Sequence, residues 1–177
     1  FYNDNKVYND PPVIAFQDHS LPNKNVEGAI YTCEKLKKEY PSVKFRAFGV
    51  KKYHNLPDFI EFTENPSDEK LTNIYSTSDI LLFSSRHEGF GSPPSEAMAC
   101  KCAIVANKVA AIPEYSEHMK TAIHADPDDK DGLYKGAKFL LDNPDKLKEI
   151  SEAAYIHIRE FMNWDNSIIH FEKFISK

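Results

Sequence analysis

Two glutamates eight positions apart, Glu88 and Glu96, flank a stretch that carries two glycines, Glu88-Gly89-Phe90-Gly91-Ser92-Pro93-Pro94-Ser95-Glu96. Carboxylates are hydrogen-bond acceptors, and two of them beside an anion suit the vicinal hydroxyls of a sugar. The chain has only six glycines in 177 residues, about half the usual frequency. A residue this scarce is tolerated where backbone must turn sharply or a ligand must come close. Ser92 suits a helix N-cap and Pro93 the first helical position. A helix starting there offers amides and the positive end of its dipole to an anion such as phosphate. Pro93 and Pro94 have no N–H, so the donors must come from Gly89 to Ser92, from Ser95 or from the two serine hydroxyls. The plainer reading makes Glu96 a cap of its own helix and Glu88 a solvated loop residue; the surrounding residues outweigh it.

The elements that must position this stretch follow from hydrophobic period. Runs rich in β-branched and aromatic residues at Val13 to Phe16, Lys44 to Phe48, Ile60 to Phe62, Ile80 to Phe83, Ala103 to Ala106 and Thr121 to His124 read as buried strands. Between them, Val26 to Tyr40 and Ser67 to Ser76 read as helices, the second with a start signal in Ser67-Asp68-Glu69-Lys70. Strand, helix, strand at this spacing implies right-handed crossovers and a parallel sheet covered on both faces. The expected fold class is α/β, a Rossmann-like three-layer domain with a parallel sheet of about six strands and a helical C-terminal tail. The tail comprises Lys130 to Asn143, Asp145 to Phe161 and Asp165 to Ser176, the last with Trp164, Ile168, Phe171 and Ile175 on one apolar stripe expected to pack on the sheet. Residues 1–12 read as a tether and 13–177 as one domain. Ligands of such sheets bind beyond the carboxyl ends of the strands, and Glu88 follows the Ile80 to Phe83 run almost directly.

Composition removes several function classes. Hydrophobic residues make up 41% and charged residues 28%, the mix of a folded domain and not of a disordered chain. With 22 basic and 27 acidic residues the net charge is -5, which provides no general field for a nucleic-acid backbone. The longest apolar run, Cys102 to Ala106, is far short of the roughly 20 residues that cross a bilayer. Three cysteines, the proline-blocked triplet Asn65-Pro-Ser67 and the lack of a charged-then-apolar leader suggest a reducing, cytoplasmic setting. No Cys/His cluster has zinc spacing, and no metal is expected. Nor does a Gly-x-Gly-x-x-Gly follow the first strand, which disfavours a nicotinamide dehydrogenase. Lys51 and Lys52 read as a solvated pair, and His87 as an exposed loop residue that could orient Glu88.

The string Arg86-His87-Glu88-Gly89-Phe90-Gly91, with Pro94 and Glu96-Ala97-Met98-Ala99-Cys100, resembles the E-x7-E signature of retaining family 4 glycosyltransferases, which have the GT-B fold. Asn23-Lys24-Asn25 resembles the family's lysine loop, Phe45 to Gly49 its second strand, Ile112-Pro113-Glu114 the segment after its fifth strand, and His124 to Asp129 with Trp164 its acidic loop and terminal-helix tryptophan. The resemblance implies the second, donor-binding half of a two-domain enzyme. It implies that Glu96 binds ribose hydroxyls and that Glu88, the catalytic residue, holds the donor sugar. Gly89, Phe90, Gly91, Ser92, Lys24 and His19 would meet the pyrophosphate, the backbone near Phe62 and Thr63 the base, and Glu114 the donor sugar.

The implied partners are a nucleotide-sugar donor, as substrate with no cofactor or metal, and an acceptor glycan, lipid-linked sugar or protein held by an N-terminal domain. Peripheral membrane association of the full-length protein fits such acceptors. The implied reaction is retaining hexosyl transfer through an oxocarbenium-like transition state, with the donor phosphate drawing the acceptor proton. Three positions depart from the family pattern: His19 replaces an arginine, Ala110-Ala111 replaces paired glycines, and Lys101 replaces the glycine after Cys100. They keep a noncatalytic nucleotide- or sugar-binding module open as an alternative. A nucleotide-sugar epimerase is the other, since epimerases share the two-domain fold.

Overall fold

The computed structural model describes residues 1–163 and Ile168. Six strands, β1 (Val13–Gln17), β2 (Lys44–Gly49), β3 (Ile60–Glu64), β4 (Ile80–Phe83), β5 (Ala103–Asn107) and β6 (Ile123–Ala125), form one sheet in the order β3-β2-β1-β4-β5-β6. Every neighbouring pair is parallel. The expected α/β Rossmann-like architecture is therefore the one observed. The direction of winding reverses between β1 and β4, which places a switch point, and the crevice it opens, at their carboxyl ends.

Alternation between two covered faces explains why the central strands are apolar without a break. Ile14, Phe16, Phe45, Ile80, Leu82 and Val105 pack with α1 (Val26–Glu39) and α5 (Gly132–Asp142). Their neighbours Ala15, Leu81, Phe83, Ile104 and Ala106 face the other layer, made by α2 (Asp68–Ser76), α3 (Ser92–Ala99) and α6 (Pro144–Phe161). Helices cover both faces, so the central strands β4 and β5 are buried along their whole length.

Most boundaries match the periodicity. Ser67 caps α2 by accepting the Lys70 amide at 3.3 Å. Strand β6 sits two residues later than its apolar run suggests at its start, because Thr121 is spent on a turn in which its hydroxyl accepts the Glu117 amide at 2.7 Å. Helix α5 begins at Gly132 and not Lys130, since Asp129 holds the chain in a turn by accepting the Asp131 amide at 2.9 Å. The stripe of Trp164, Phe171 and Ile175 lies outside the described residues; Ile168 is 50% exposed.

Residues 1–12, expected as a tether, are fastened along the domain. The buried Lys6 ammonium donates to the carbonyls of Ser76, at 3.0 Å, and Ser78. The carboxylate of Asp79, 1% exposed, accepts from the side chain of Asn9 and the amide of Val13, both at 2.8 Å. Among the described residues no helix is long and apolar enough to cross a membrane. Cys33, Cys100 and Cys102 are buried free thiols, and burial pushes Cys102 up to about 12, far from reactive thiolate chemistry.

Candidate functional site

The turn from β4 into α3 is held from beneath by side-chain amides. Asn107, 3% exposed at the end of β5, donates to the carbonyls of Ser84 at 2.8 Å and Ser85 at 3.2 Å. Asn25, at the start of α1, donates to the same Ser84 carbonyl at 3.2 Å. Backbone carries the tie further: the Arg86 amide reaches the Asn23 carbonyl at 2.7 Å, and the Asn23 side chain reaches the His87 carbonyl at 3.0 Å. The Pro22–Lys24 turn is thus stitched to the glycine stretch. That stitching brings Lys24 to Glu88, and the ammonium lies 2.5 Å from the carboxylate.

At the far end of the stretch the chain enters α3 through Gly91, whose φ of +80° puts it in the left-handed region. Gly91 is the N-cap, and Ser92 is the first helical residue. The expectation that Ser92 caps the helix is corrected by one position, because the left-handed glycine takes the entry and no side chain caps it. A Cβ on Gly91 would meet Ile112 at 2.9 Å and the Tyr115 hydroxyl at 3.3 Å, so the residue needs its missing side chain as well as its torsion. Tyr115 belongs to the short α4 (Ile112–Tyr115), donates to the Gly91 carbonyl at 2.9 Å and packs against Phe90 with ring centroids 5.0 Å apart and planes tilted by 35°. Glu96, the fifth residue of α3 and so just past its first turn, accepts from the buried hydroxyl of Tyr75 at 3.1 Å.

These parts line one crevice of about 450 Å³ at the β1/β4 switch point. His19, Lys24, Glu88, Phe90, Gly91, Ser92 and Glu96 all border it, with Gln17, Phe48, Leu71, Tyr75 and Pro93. Of the expected site residues, three lie apart from this lining. Gly89 stands in the open on the loop, with no atom within 4 Å of where its Cβ would be. Thr63 is one strand away, in register with the lining residue Phe48. Glu114 is exposed on α4, next to the Tyr115 that braces the loop. Sequence reasoning missed Tyr75, Asn107 and Tyr115: a buried tyrosine or asparagine carries no signal in one sequence that separates bracing a site from filling a core.

The electrostatics differ across the crevice. Burial raises the Glu96 carboxyl above its ordinary value, against the opposing effect of the Tyr75 hydrogen bond. Tyr75 is itself driven upward by burial and by the Glu96 charge, so it keeps its proton and remains a donor. His19 accepts the Leu21 amide on Nδ1 at 3.1 Å, which leaves the proton of the neutral ring on Nε2. The ring also stacks on Tyr53 at 6.3 Å. Among the described residues no cluster of three His, Cys, Asp or Glu side chains could hold a metal ion. Two of the departures noted in the sequence, Lys101 and Ala110, adopt φ of 55° and 48°, the left-handed region where glycine is at ease.

The family description "Glycosyl transferases group 1" matches residues 2–157. The serotype-specific mannosyltransferase WbdA of Escherichia coli is 31% identical over 107 residues, 52% of this chain and 13% of that protein. The O-antigen chain mannosyltransferase B of the same organism is 26% identical over 171 residues, 86% of this chain and 44% of that protein. The chain therefore spans less than half the length of either relative. Among solved structures, the fold is similar to that of TarM, with a TM-score of 0.84 at 17% identity over 97% of this chain and 36% of that one. It is also similar to the C-terminal domain of the group 1 family protein LpcC from Francisella tularensis, with a TM-score of 0.73 at 22% identity over 84% of this chain and 85% of that domain.

Proposed function

Because this chain belongs to the group 1 glycosyl transferases, we propose that it is the donor-binding part of a family 4 enzyme that transfers a hexosyl group from a nucleotide-sugar with retention of configuration. One observation carries the reading: Glu88 and Glu96 border a single crevice together with Lys24, His19 and the glycine turn. Two acceptors separated by cationic and N–H donors match a ligand whose hydroxylated ends are joined by a diphosphate. Glu96 takes the ribose hydroxyls and Glu88 the hydroxyls of the transferred sugar. Lys24, the Nε2 proton of His19 and the amides from Gly89 to Ser92 meet the diphosphate, and backbone near Thr63 meets the base.

Charge develops on the diphosphate as the glycosidic bond lengthens, and donors already aimed there lower the barrier. No metal is assigned a part; Lys24 turns from Glu88 to the phosphate as the donor enters, and Glu88 is released to the sugar. The donor phosphate draws the acceptor proton, and the acceptor, a glycan, a lipid-linked sugar or a protein, is held outside this chain. Mannosyl transfer is named for relatives at 26–31% identity, so a nucleotide-activated mannose is the first donor to try, in a cytoplasmic enzyme that can gather at a membrane surface.

Calorimetric titration of the intact protein with UDP, GDP and ADP tests the binding part. One of the three is expected to bind, and Glu96→Ala to weaken it. Absence of binding by all three overturns the reading.

A further inference from the structure

We propose that Tyr75 is a positioning residue for the ribose-binding carboxylate, its phenol fixing Glu96 so that the remaining lone pairs face the two ribose hydroxyls. The inference rests on the reading of Glu96 given above. Tyr75 closes the C-terminal turn of α2, fully buried. Its ring is clamped edge-on by Phe48 at 5.6 Å and 90°, and the residue lines the crevice beside Glu96. There it donates to one oxygen of Glu96, Oε2, at 3.1 Å.

A carboxylate has about four acceptor positions. A rigid donor that occupies one of them fixes the plane of the group and leaves the other oxygen for two vicinal hydroxyls. A phenol does this without competing for the charge, as a cation would. The contrast with Glu88, whose partner is the ammonium of Lys24, is direct. The burial that raises Glu96 makes a free carboxyl there liable to turn inward or take up a proton, and the Tyr75 bond opposes both.

Tyr75→Phe removes one oxygen and keeps the ring packing. The measurement is the affinity of the intact protein, wild type and variant, for the tightest binder among UDP, GDP and ADP and for its 2′,3′-dideoxy counterpart. Wild type is expected to prefer the ribonucleotide by tenfold or more, on the order of two lost hydrogen bonds. Tyr75→Phe is expected to bind the ribonucleotide about tenfold more weakly and the dideoxynucleotide within about twofold of wild type. Adding Glu96→Gln to the variant is expected to cost little more.

A variant that discriminates as wild type does overturns the role of Tyr75 and leaves that of Glu96 standing. Equal loss for both nucleotides, the signature of a merely structural defect or of misfolding, also overturns it. Wild type that binds both nucleotides alike overturns the reading of Glu96 itself, and a protein that binds none of the three diphosphates overturns the donor-site assignment beneath both.

Discussion

The two carboxylates of the crevice are the same residue type in one short stretch of chain, yet they are held in opposite ways. Glu88 sits on a turn stitched together by Asn23, Asn25 and Asn107 and faces an ammonium at 2.5 Å. Glu96 sits on a helix, half-buried, and faces a neutral phenol. The first corner is charge-matched by an ion pair, and in the proposed reading its partners separate as the donor enters. The second carries an unmatched charge that costs folding energy, and its geometry is already set. A corner that rearranges suits the reacting sugar, where contacts change on the way to the transition state; a preset corner suits the ribose, which stays put.

The largest expected effect breaks this division of labour if it is false. In the intact protein Glu88→Ala should lower kcat by about 100- to 1,000-fold, the range for losing one group that stabilises a transition state. Glu96→Ala should instead raise the donor KM about tenfold with kcat changed by less than about threefold, the signature of binding that is uniform along the reaction. Steady-state kinetics with the accepted donor checks both. Equal losses in kcat would mean that the two corners do not divide the work.

Next in size is the turn that joins them. Gly91→Ala adds a Cβ at φ +80° and within 2.9 Å of Ile112, and should cost about 2 to 3 kcal/mol of stability. Gly89→Ala meets nothing within 4 Å and should stay within about 0.5 kcal/mol of wild type. Chemical denaturation separates them, and similar costs would remove the claim that the two glycines serve different ends.

That pair also shows what was legible in the sequence. The central strands could be read because they are buried on both faces and so are continuously apolar, as Ile80–Phe83 is. The two glutamates could be read because the glycines between them are scarce in this chain and the stretch sits after a strand. The different duties of Gly89 and Gly91 could not, since they depend on Ile112 and Tyr115, residues about twenty positions away that only the fold brings near. Tyr75 was hidden for the same reason: one hydroxyl at the end of an otherwise core-like side chain decides its role. Serine before proline is a strong start signal and points to Ser92 as the cap, but the left-handed Gly91 takes the cap one residue earlier.

A smaller effect of opposite sign concerns the support of the Glu88 corner. Ala111 donates its amide to the Gly89 carbonyl at 3.4 Å, and the residue before it, Ala110, is left-handed at φ 48°. Ala110→Gly should relieve that torsion and stabilise the protein by about 1 kcal/mol, after the entropy that glycine adds to the unfolded chain. Lys101→Gly relieves a similar torsion but gives up an ion pair with Glu152 at 2.9 Å and a stack on the Tyr155 ring at 4.9 Å. Its net change should be near zero. Thermal melts of the two variants test whether left-handed residues with and without compensating contacts differ in this way.

The smallest effect bears on the unmatched charge itself. Burial raises the Glu96 carboxyl above 4.5, so the folded state holds its proton more tightly than the unfolded chain does. Well below the ordinary carboxyl value the group is protonated in both states and costs nothing; as pH rises from that value through the raised one, the folded state alone bears the burial of a charge, and stability falls. Glu96→Gln keeps the shape and an oxygen for Tyr75 while removing the charge. It should therefore stabilise the protein at pH 7, by about 0.5 to 1 kcal/mol, and leave it unchanged at pH 4. Glu88→Gln should give no such gain, because it strands Lys24 without its partner. Denaturation at the two pH values decides the matter: a gain from Glu88→Gln and none from Glu96→Gln would mean that the charge of the crevice is unmatched at the other corner.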